Sequence, residues 1–415
     1  MALRMVAAAA AAAAVLVVPA PAQARTAACD RSPPPSSKVD SKAVPYEDQL
    51  YDLARLAPLA TGAGVRVAVI DSGVDAAHPQ LRGQVVAGRD FLRGDSDGRQ
   101  DCVGHGTGVA SVIAARAVDG VPFHGLAPDV TIVPVRISEQ DEIGGEAEGE
   151  SGGPEDLARA IDWAAGAGRA RVINLSLTTS TDAPAVRAAV AAAIDSGVVV
   201  VAAAGNQGAK GNATPYPTAY PDVIGVGAIG PGGLRAGFSQ HGSYVDLVAA
   251  GDGITTAALR SGHIVRSGTS FSAPLVAATA ALVLQRFPDL TPAQVARRLI
   301  ATADPAPGGR HSDEYGYGLL NPYRALTESL GPERPASPAP AVVHTEDPAT
   351  VALRERRDHA QDMSLVAAAA GGGLVVLIGL GVMVVRRGRR RDWRPADPDL
   401  AFTPDPPPAP DQARA

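Results

Sequence analysis

Four polar residues, far apart in the chain, are of the types that together attack a carbonyl group. They are Asp71, His105, Asn206 and Ser270, in that order. A serine hydroxyl is a weak nucleophile at neutral pH, so it needs a base within hydrogen-bond reach and a third group that fixes the base. A carboxamide can donate a hydrogen bond to the oxyanion that forms on attack. The four residue types therefore predict nucleophilic catalysis, provided that the fold brings them together.

Ser270 is predicted to lie at the N-terminus of a buried helix. Gly268, Thr269 and Ser270 form a tight turn, and an Ala-rich apolar run extends over 275–287. Pro274 is expected in or near the first helical turn, where its missing N–H is not needed. Free amides and the positive end of the helix dipole would then surround a hydroxyl that must form and lose an oxyanion. Alone, the stretch also fits a capped core helix.

The other three residues fall at the boundaries of an alternating strand and helix pattern. Strands are predicted at 65–70, 130–136, 172–177, 198–203 and 223–227, and helices at 104–116, 155–166, 185–196 and 291–302. Continuous Val and Ile runs separated by helices indicate parallel strands buried on both faces. The fold class is therefore α/β, a doubly wound, mostly parallel sheet, with its ligand site beyond the carboxyl ends of the strands. Asp71 and Asn206 follow directly on two of those ends.

The segments around the four residues, taken in their order, resemble the subtilisin-like serine peptidases (subtilases) over residues 62–328. These segments are Asp71-Ser72-Gly73-Val74, His105-Gly106-Thr107-Gly108, Ala203-Ala204-Gly205-Asn206 and Gly268-Thr269-Ser270. The resemblance implies that Asp71 orients the imidazole, that His105 is the general base and then the general acid, and that Ser270 is the nucleophile. It also implies that the Asn206 side chain and the Ser270 N–H bind the oxyanion.

The same resemblance implies that the substrates are proteins or peptides and that the reaction needs no cofactor. It implies that the substrate backbone pairs as an added strand with Ser176, Leu177 and Thr178. Bacterial subtilisins usually carry glycines where Thr178 and Thr179 stand, which favours narrower subsites here.

Further motifs are similar to the mycosins, the membrane-anchored subtilases that accompany type VII secretion systems of actinobacteria. They are Gln100-Asp101-Cys102-Val103-Gly104-His105, Tyr315-Gly316-Tyr317-Gly318 and Asn321-Pro322-Tyr323-Arg324. In that family the N-terminal extension packs around the catalytic domain and does not act as a removable inhibitor. The resemblance implies an outward-facing protease near a secretion channel, which is also a candidate structural partner of the channel.

The ends of the chain indicate export and anchoring. Residues 1–24 form a predicted signal peptide, with an uncleaved anchor as the alternative. An extension (25–60), too short for an independent prodomain, precedes the peptidase domain (61–330). After a Pro-rich linker (331–363), an apolar stretch (364–385) is long enough to cross a bilayer, with a buried soluble helix as the alternative.

Arg386, Arg387, Arg389, Arg390 and Arg391 open the last segment (386–415). This cluster predicts a cytoplasmic tail and therefore a single-pass protein in the cell membrane with its catalytic domain outside.

Composition and cysteine content set further bounds. Hydrophobic residues make up 46% and charged residues 19%, which is typical of a globular protein. A net charge of −6 gives no support for nucleic-acid binding. In an exported chain, Cys29 and Cys102 are expected to form a disulfide rather than two free thiols, and the chain-entropy model assigns such a loop about 4 kcal/mol.

Two acidic segments have simple interpretations. Residues 95–98 lack the spaced ligands of a calcium loop, so no metal site is predicted. The acidic insertion 139–150 is expected to be a solvated loop beside the cleft, with partner docking as the alternative.

The sequence alone leaves three functions open. The first is a membrane-tethered serine endopeptidase. The second is a scaffold of a secretion complex in which catalysis is dispensable, and the third is a general quality-control protease of the envelope. The presence of Asp71, His105, Asn206 and Ser270 together favours the first, because a pure scaffold would have no need of all four.

Overall fold

The computed structural model describes residues 44–94, 96–140, 149–307 and 311–331, together with 383, 386 and 387. The helices and strands named below belong to one compact unit that ends at Gly331. Its sheet strands are β1 (Arg66–Asp71), β2 (Arg89–Asp90), β3 (Thr131–Arg136), β4 (Val172–Leu175), β5 (Val199–Ala203), β6 (Ile224–Ile229) and β7 (Leu247–Ala250). They pair in parallel in the order β2-β3-β1-β4-β5-β6-β7.

Helices cover both faces of this sheet. They are α1 (Tyr46–Tyr51), α2 (Leu53–Leu56), α3 (His105–Ala114), α4 (Pro154–Ala165), α5 (Pro184–Asp195), α6 (Thr269–Arg286), α7 (Pro292–Ala301) and α8 (Pro322–Thr327). Val67 and Val69 of β1 face the core that contains α3 and α6, whereas Ala68 and Ile70 face the core that contains α4 and α5. Successive side chains of a strand point to opposite faces, so this alternation buries both sides. The predicted doubly wound parallel sheet is confirmed.

The helix that carries Ser270 begins earlier than expected. It starts at Thr269, so Pro274 lies inside α6 and not in its first turn. The prediction about Pro274 was therefore wrong, and the carbonyl four residues before it needs another hydrogen-bond donor because proline has no N–H. An antiparallel hairpin of β8 (Ile254–Ala257) and β9 (His263–Arg266), also not predicted, leads directly into this helix.

The predicted terminal segments fall almost entirely outside the part of the chain that the structure describes. The signal peptide 1–24, the linker 332–363 and the tail beyond 387 lie outside it, as does the candidate span 364–385 except Met383. Within the described residues, no helix has both the length and the apolar character needed to cross a membrane.

The end of the extension is part of the core. Tyr51, Leu53 and Leu56 pack into the same hydrophobic cluster as α6. Glu47 of α1, only 4% exposed, accepts a hydrogen bond from Thr255 N of β8 at 2.7 Å, while its Oε2 is buried with no hydrogen-bond partner among the described residues. Burial raises the pKa of Glu47 from 4.5 to about 7. Burial, and then the adjacent Glu47, raises the pKa of Asp48 to about 8.

Docking of the extension is therefore expected to weaken as the pH rises. A raised folded-state pKa means that the stabilising contribution is complete below pH 4.5 and is lost as the pH rises through about 7. Between those values the free energy of unfolding of the wild type should fall by about 3 kcal/mol relative to Glu47→Gln. Urea denaturation of both proteins between pH 4 and 8 measures this difference.

An exposed carboxylate on the same extension provides the control. Asp52 forms an exposed ion pair with Arg55 and has a left-handed backbone that asparagine tolerates. Asp52→Asn should therefore follow the wild-type pH dependence. Parallel stability curves for the wild type and Glu47→Gln would show that Glu47 is ionised in the folded protein.

Candidate active site

Asp71 and His105 meet where β1 ends and α3 begins. Asp71 Oδ1 lies 2.8 Å from His105 Nδ1 and also accepts a hydrogen bond from Ser72 N at 2.7 Å. The two side chains are 4% and 13% exposed. Because a carboxylate only accepts, Nδ1 of a neutral imidazole carries the proton here and Nε2 is the basic nitrogen. The pair therefore has the arrangement of an oriented general base.

A close backbone approach makes this pairing possible. A Cβ at Gly106 would stand 2.1 Å from Gly73 O and 3.1 Å from Asp71 Cβ. Any side chain at this position would push α3 away from β1. The glycine after His105 is therefore required for the imidazole to reach Asp71.

Ser270 is the second residue of α6 and faces the β4 loop. Its Oγ donates to Ser176 O at 3.2 Å, and Ser176 Oγ donates to Ser270 O at 2.8 Å. Pro274 has no N–H with which to bond Ser270 O, the carbonyl four residues earlier. The Ser176 hydroxyl takes the place of that missing donor. A proline inside a buried helix is thus accommodated by a residue predicted for substrate binding.

Asn206 follows β5 and contacts the turn before the nucleophile. Its Oδ1 accepts hydrogen bonds from Thr269 N at 2.9 Å and Thr269 Oγ1 at 3.0 Å. These two donors fix which end of the carboxamide is oxygen. The Nδ2 end lies 3.4 Å from the position that a Cβ at Gly268 would occupy. The donor end therefore lies beside the backbone of the Ser270 turn.

A cavity of about 310 Å³ joins most of these groups. Asp71, His105 and Ser270 line it, as do Ser176, Leu177 and Thr178, whereas Asn206 is not part of the lining. Its remaining wall includes the apolar or aromatic side chains of Leu157, Val186, Tyr216 and Tyr220. A substrate side chain seated there would place its own carbonyl group near Ser270.

Two features of the site were not found by sequence reasoning. The ring of Phe271 packs against the His105 imidazole with centroids 5.3 Å apart, and its position next to Ser270 was the only signal. Asp101, which falls within the motif that ends at His105, is a buried carboxylate four residues before the start of α3.

The acidic insertion is not wholly solvated. Glu139 is 3% exposed, and it forms an ion pair with Arg93 at 2.6 Å and another with the buried Arg136. The expectation of a solvated loop is therefore wrong for Glu139, because two arginines at the end of the sheet neutralise it. Residues 141–148 lie outside the described part.

Arg136 also connects the acidic insertion to the loop before His105. Arg136 Nη2 lies 3.5 Å from Cys102 Sγ, and Cys102 is disulfide-bonded. Its predicted partner, Cys29, is outside the described residues. Within the described residues, no group of three or more His, Cys, Asp or Glu side chains is placed to hold a metal ion.

Comparison with known proteins places this site in a family. The Subtilase family, Peptidase S8, matches residues 62–318. Mycosin-1 of Mycobacterium tuberculosis (strain ATCC 25618 / H37Rv) is 35% identical over 394 residues, which cover 84% of this chain and 86% of that protein.

Solved structures agree with this relationship. The crystal structure of MycP1 with the N-terminal propeptide removed matches with a TM-score of 0.61 and 33% identity, covering 70% of this chain and 100% of that one. A chain in the periplasmic assembly from the ESX-5 inner membrane complex matches with a TM-score of 0.62 and 32% identity, covering 75% of this chain and 91% of that one. The chain therefore belongs to the subtilase family of serine endopeptidases and, within that family, to the mycosins.

Proposed function

We propose that Asp71, His105 and Ser270 form the catalytic triad of a membrane-tethered, extracytoplasmic endopeptidase. The observation that carries this proposal is the 2.8 Å contact between His105 Nδ1 and Asp71 Oδ1, in the cavity that Ser270 also lines. His105 Nε2 takes the proton of Ser270 Oγ as that oxygen attacks the scissile carbonyl carbon. The imidazolium then donates this proton to the leaving amine, and Asp71 stabilises the positive charge in between.

The oxyanion is stabilised from the other side of the nucleophile. The Ser270 N–H, near the start of α6, and the Asn206 side chain are the proposed donors. Because Thr269 fixes the Oδ1 end of Asn206, the Nδ2 end is the one that can donate. Water then attacks the acyl carbon while His105 Nε2 accepts its proton, and the imidazolium returns that proton to Ser270 Oγ as the acyl bond breaks.

Protein or peptide substrates are proposed to lie along Ser176, Leu177 and Thr178. These residues line the cavity beside Ser270, and Thr179 pairs with Tyr216 through two backbone hydrogen bonds of 2.9 and 2.8 Å that close its wall. An extended substrate backbone fits such an edge as an added strand. Thr178 and Thr179, in place of the glycines usual in bacterial subtilisins, are proposed to narrow the subsites.

The relatives support the proposal of a place beside a type VII secretion complex. MycP1 is described as an essential component of the type VII (ESX-1) secretion system. We extend this association to the present chain, with the signal peptide (1–24) directing export, the span 364–385 anchoring it, and the tail 386–415 in the cytoplasm. The apolar stretch and the arginines after it support this orientation.

A structural role is the second candidate. It is favoured by the similar chain in the ESX-5 periplasmic assembly. If the protein is a scaffold, the Ser270→Ala variant should support secretion as well as the wild type. If it is an endopeptidase that acts on exported proteins, the same variant should leave the N-termini of those proteins unprocessed. The two functions are compatible: a comparison of exported-protein N-termini between the wild type and Ser270→Ala tests the proteolytic role, and the amount of secreted protein in the same two strains tests the structural one.

A fluorophosphonate probe tests the catalytic assignment. In the full-length chain the probe should label Ser270, because only a serine activated by a neighbouring base reacts with it efficiently. Ser270→Ala should lose the label. Ser267→Ala should keep it, because this exposed serine three residues earlier bonds Asp252 and Gly253 rather than lining the cavity. A folded wild-type chain that takes no label would refute the enzymatic role.

A further inference from the structure

Asp101 is a buried carboxylate outside the proposed triad that gathers five hydrogen-bond donors. Its side chain is 8% exposed. The donors are Ser72 Oγ at 3.0 Å, Val103 N at 3.0 Å and Gly104 N at 2.8 Å to Oδ1, and Thr107 N at 2.8 Å and Thr107 Oγ1 at 2.6 Å to Oδ2.

These contacts cap the helix that carries His105. The residue at the N-cap of α3 is Gly104, which has a left-handed backbone and no side chain with which to cap. Asp101 instead accepts the Thr107 N–H of the first turn, together with the N–H groups of Val103 and Gly104 that directly precede the helix. Three of its donors are backbone N–H groups, which can only donate, so they favour the ionised carboxylate at the positive end of the helix dipole. Burial raises the pKa of Asp101, and these hydrogen bonds oppose the rise.

A single serine, Ser72, connects Asp101 to the two segments that carry Asp71 and His105. Ser72 N donates to Asp71 Oδ1 at 2.7 Å, and Ser72 Oγ accepts from Gly106 N at 2.9 Å while it donates to Asp101. The end of β1 and the first turn of α3 are thus held to one carboxylate. A change of a few tenths of an ångström here would alter the contact between His105 and Asp71, because Gly106 already touches Gly73.

We propose that Asp101 is a positioning residue that holds the first turn of α3 against the end of β1 and thereby fixes the His105 imidazole relative to Asp71 and Ser270. This inference rests on the catalytic roles proposed above. The Asp101 carboxylate also places a second negative charge, besides that of Asp71, near the imidazole. Arg266 is a positive group on this side, with its Nη2 3.4 Å from where a Cβ at Gly104 would stand.

The test compares Asp101→Asn with Asp97→Asn in the full-length chain. Asp97 is in the same loop but pairs with Arg99 at the surface, so it is the matched control. In Asp101→Asn we expect kcat for a peptide substrate to fall about 10- to 100-fold while KM changes less than about threefold, because orientation is lost and substrate contacts are kept. The acidic limb of the profile of kcat/KM against pH should move down by roughly 0.5, because less negative charge stabilises the imidazolium.

Active-site titration with the fluorophosphonate gives kcat per folded site, so a loss of folded protein does not imitate the effect. If Asp101→Asn does not fold, Ser72→Ala removes the connection alone and should lower kcat about tenfold. The inference is overturned if the folded variant, or Ser72→Ala in its place, keeps wild-type kcat and pH profile. If the fluorophosphonate labels Ser270 in the wild type and the tested variant keeps the wild-type kcat and pH profile, only the proposed role of Asp101 is refuted. An unlabelled wild type removes the proposed function as well.

Discussion

Replacing Ser270 or His105 by alanine is expected to lower kcat about 10⁶-fold, and replacing both should cost no more than either single change. The serine hydroxyl is an effective nucleophile only while the imidazole accepts its proton, so neither residue contributes to the attack once the other is removed. The cavity, the proposed substrate-binding residues Ser176 to Thr178 and the Asn206 side chain remain in both variants. KM should therefore stay near the wild-type value, and residual activity should stay above the uncatalysed rate.

Steady-state kinetics of the two single variants and the double variant on one peptide measure this non-additivity. Ser267→Ala serves as the control, because its side chain lies outside the cavity and its kcat should match the wild type. Additive losses in the double variant would indicate that Ser270 and His105 act independently. A single variant with wild-type kcat would exclude that residue from the reaction.

The sheet and the order of the site were accessible from sequence because both depend on local pattern. The predicted strand 198–203 corresponds to β5 (Val199–Ala203), and its residues are buried on both faces. Such continuous apolar runs have one stable environment, the interior of a parallel sheet. The position of Asn206, just after this strand, then follows from the general location of sites at the carboxyl ends of strands.

What could not be predicted depends on partners distant in the chain. The sequence pattern places Pro274 in or near the first turn of a helix, yet Ser176, on a different strand end, supplies the missing hydrogen bond to Ser270 O. The acidic neighbours of Glu139 in sequence indicate a solvated position, whereas its neighbours in space are Arg93 and Arg136. Sequence pattern records burial along one element but not which charges the fold brings opposite each other.

The same limitation explains the role of the extension. Its helical pattern was visible, but the burial of Glu47 against Thr255 N was not. That contact places the extension on β8, whose partner β9 continues into the turn before Ser270. The extension therefore supports the hairpin from which the nucleophile emerges, which is consistent with a segment that stays attached to the peptidase domain.

Asn206→Ala is expected to lower kcat by about 10² to 10³, with KM largely unchanged. The oxyanion exists only during the reaction, so a donor to it stabilises the transition state and not the bound substrate. Asn206→Asp is the sharper variant, because it keeps an acceptor for Thr269 N and Thr269 Oγ1 and removes only the N–H donors. It should reduce kcat at least as much, since a carboxylate beside the oxyanion is repulsive.

The exposed neighbour Gln207 provides the control, and Gln207→Ala should retain wild-type kcat. Labelling by the fluorophosphonate should slow in both Asn206 variants, because the phosphonyl oxygen uses the same donors. Turnover that survives in Asn206→Asp would assign the oxyanion to the Ser270 N–H and other backbone donors alone. A rise in KM at constant kcat would instead make Asn206 a substrate-binding residue. In contrast, a fall in kcat alone requires a contact that forms only when Ser270 Oγ has attacked.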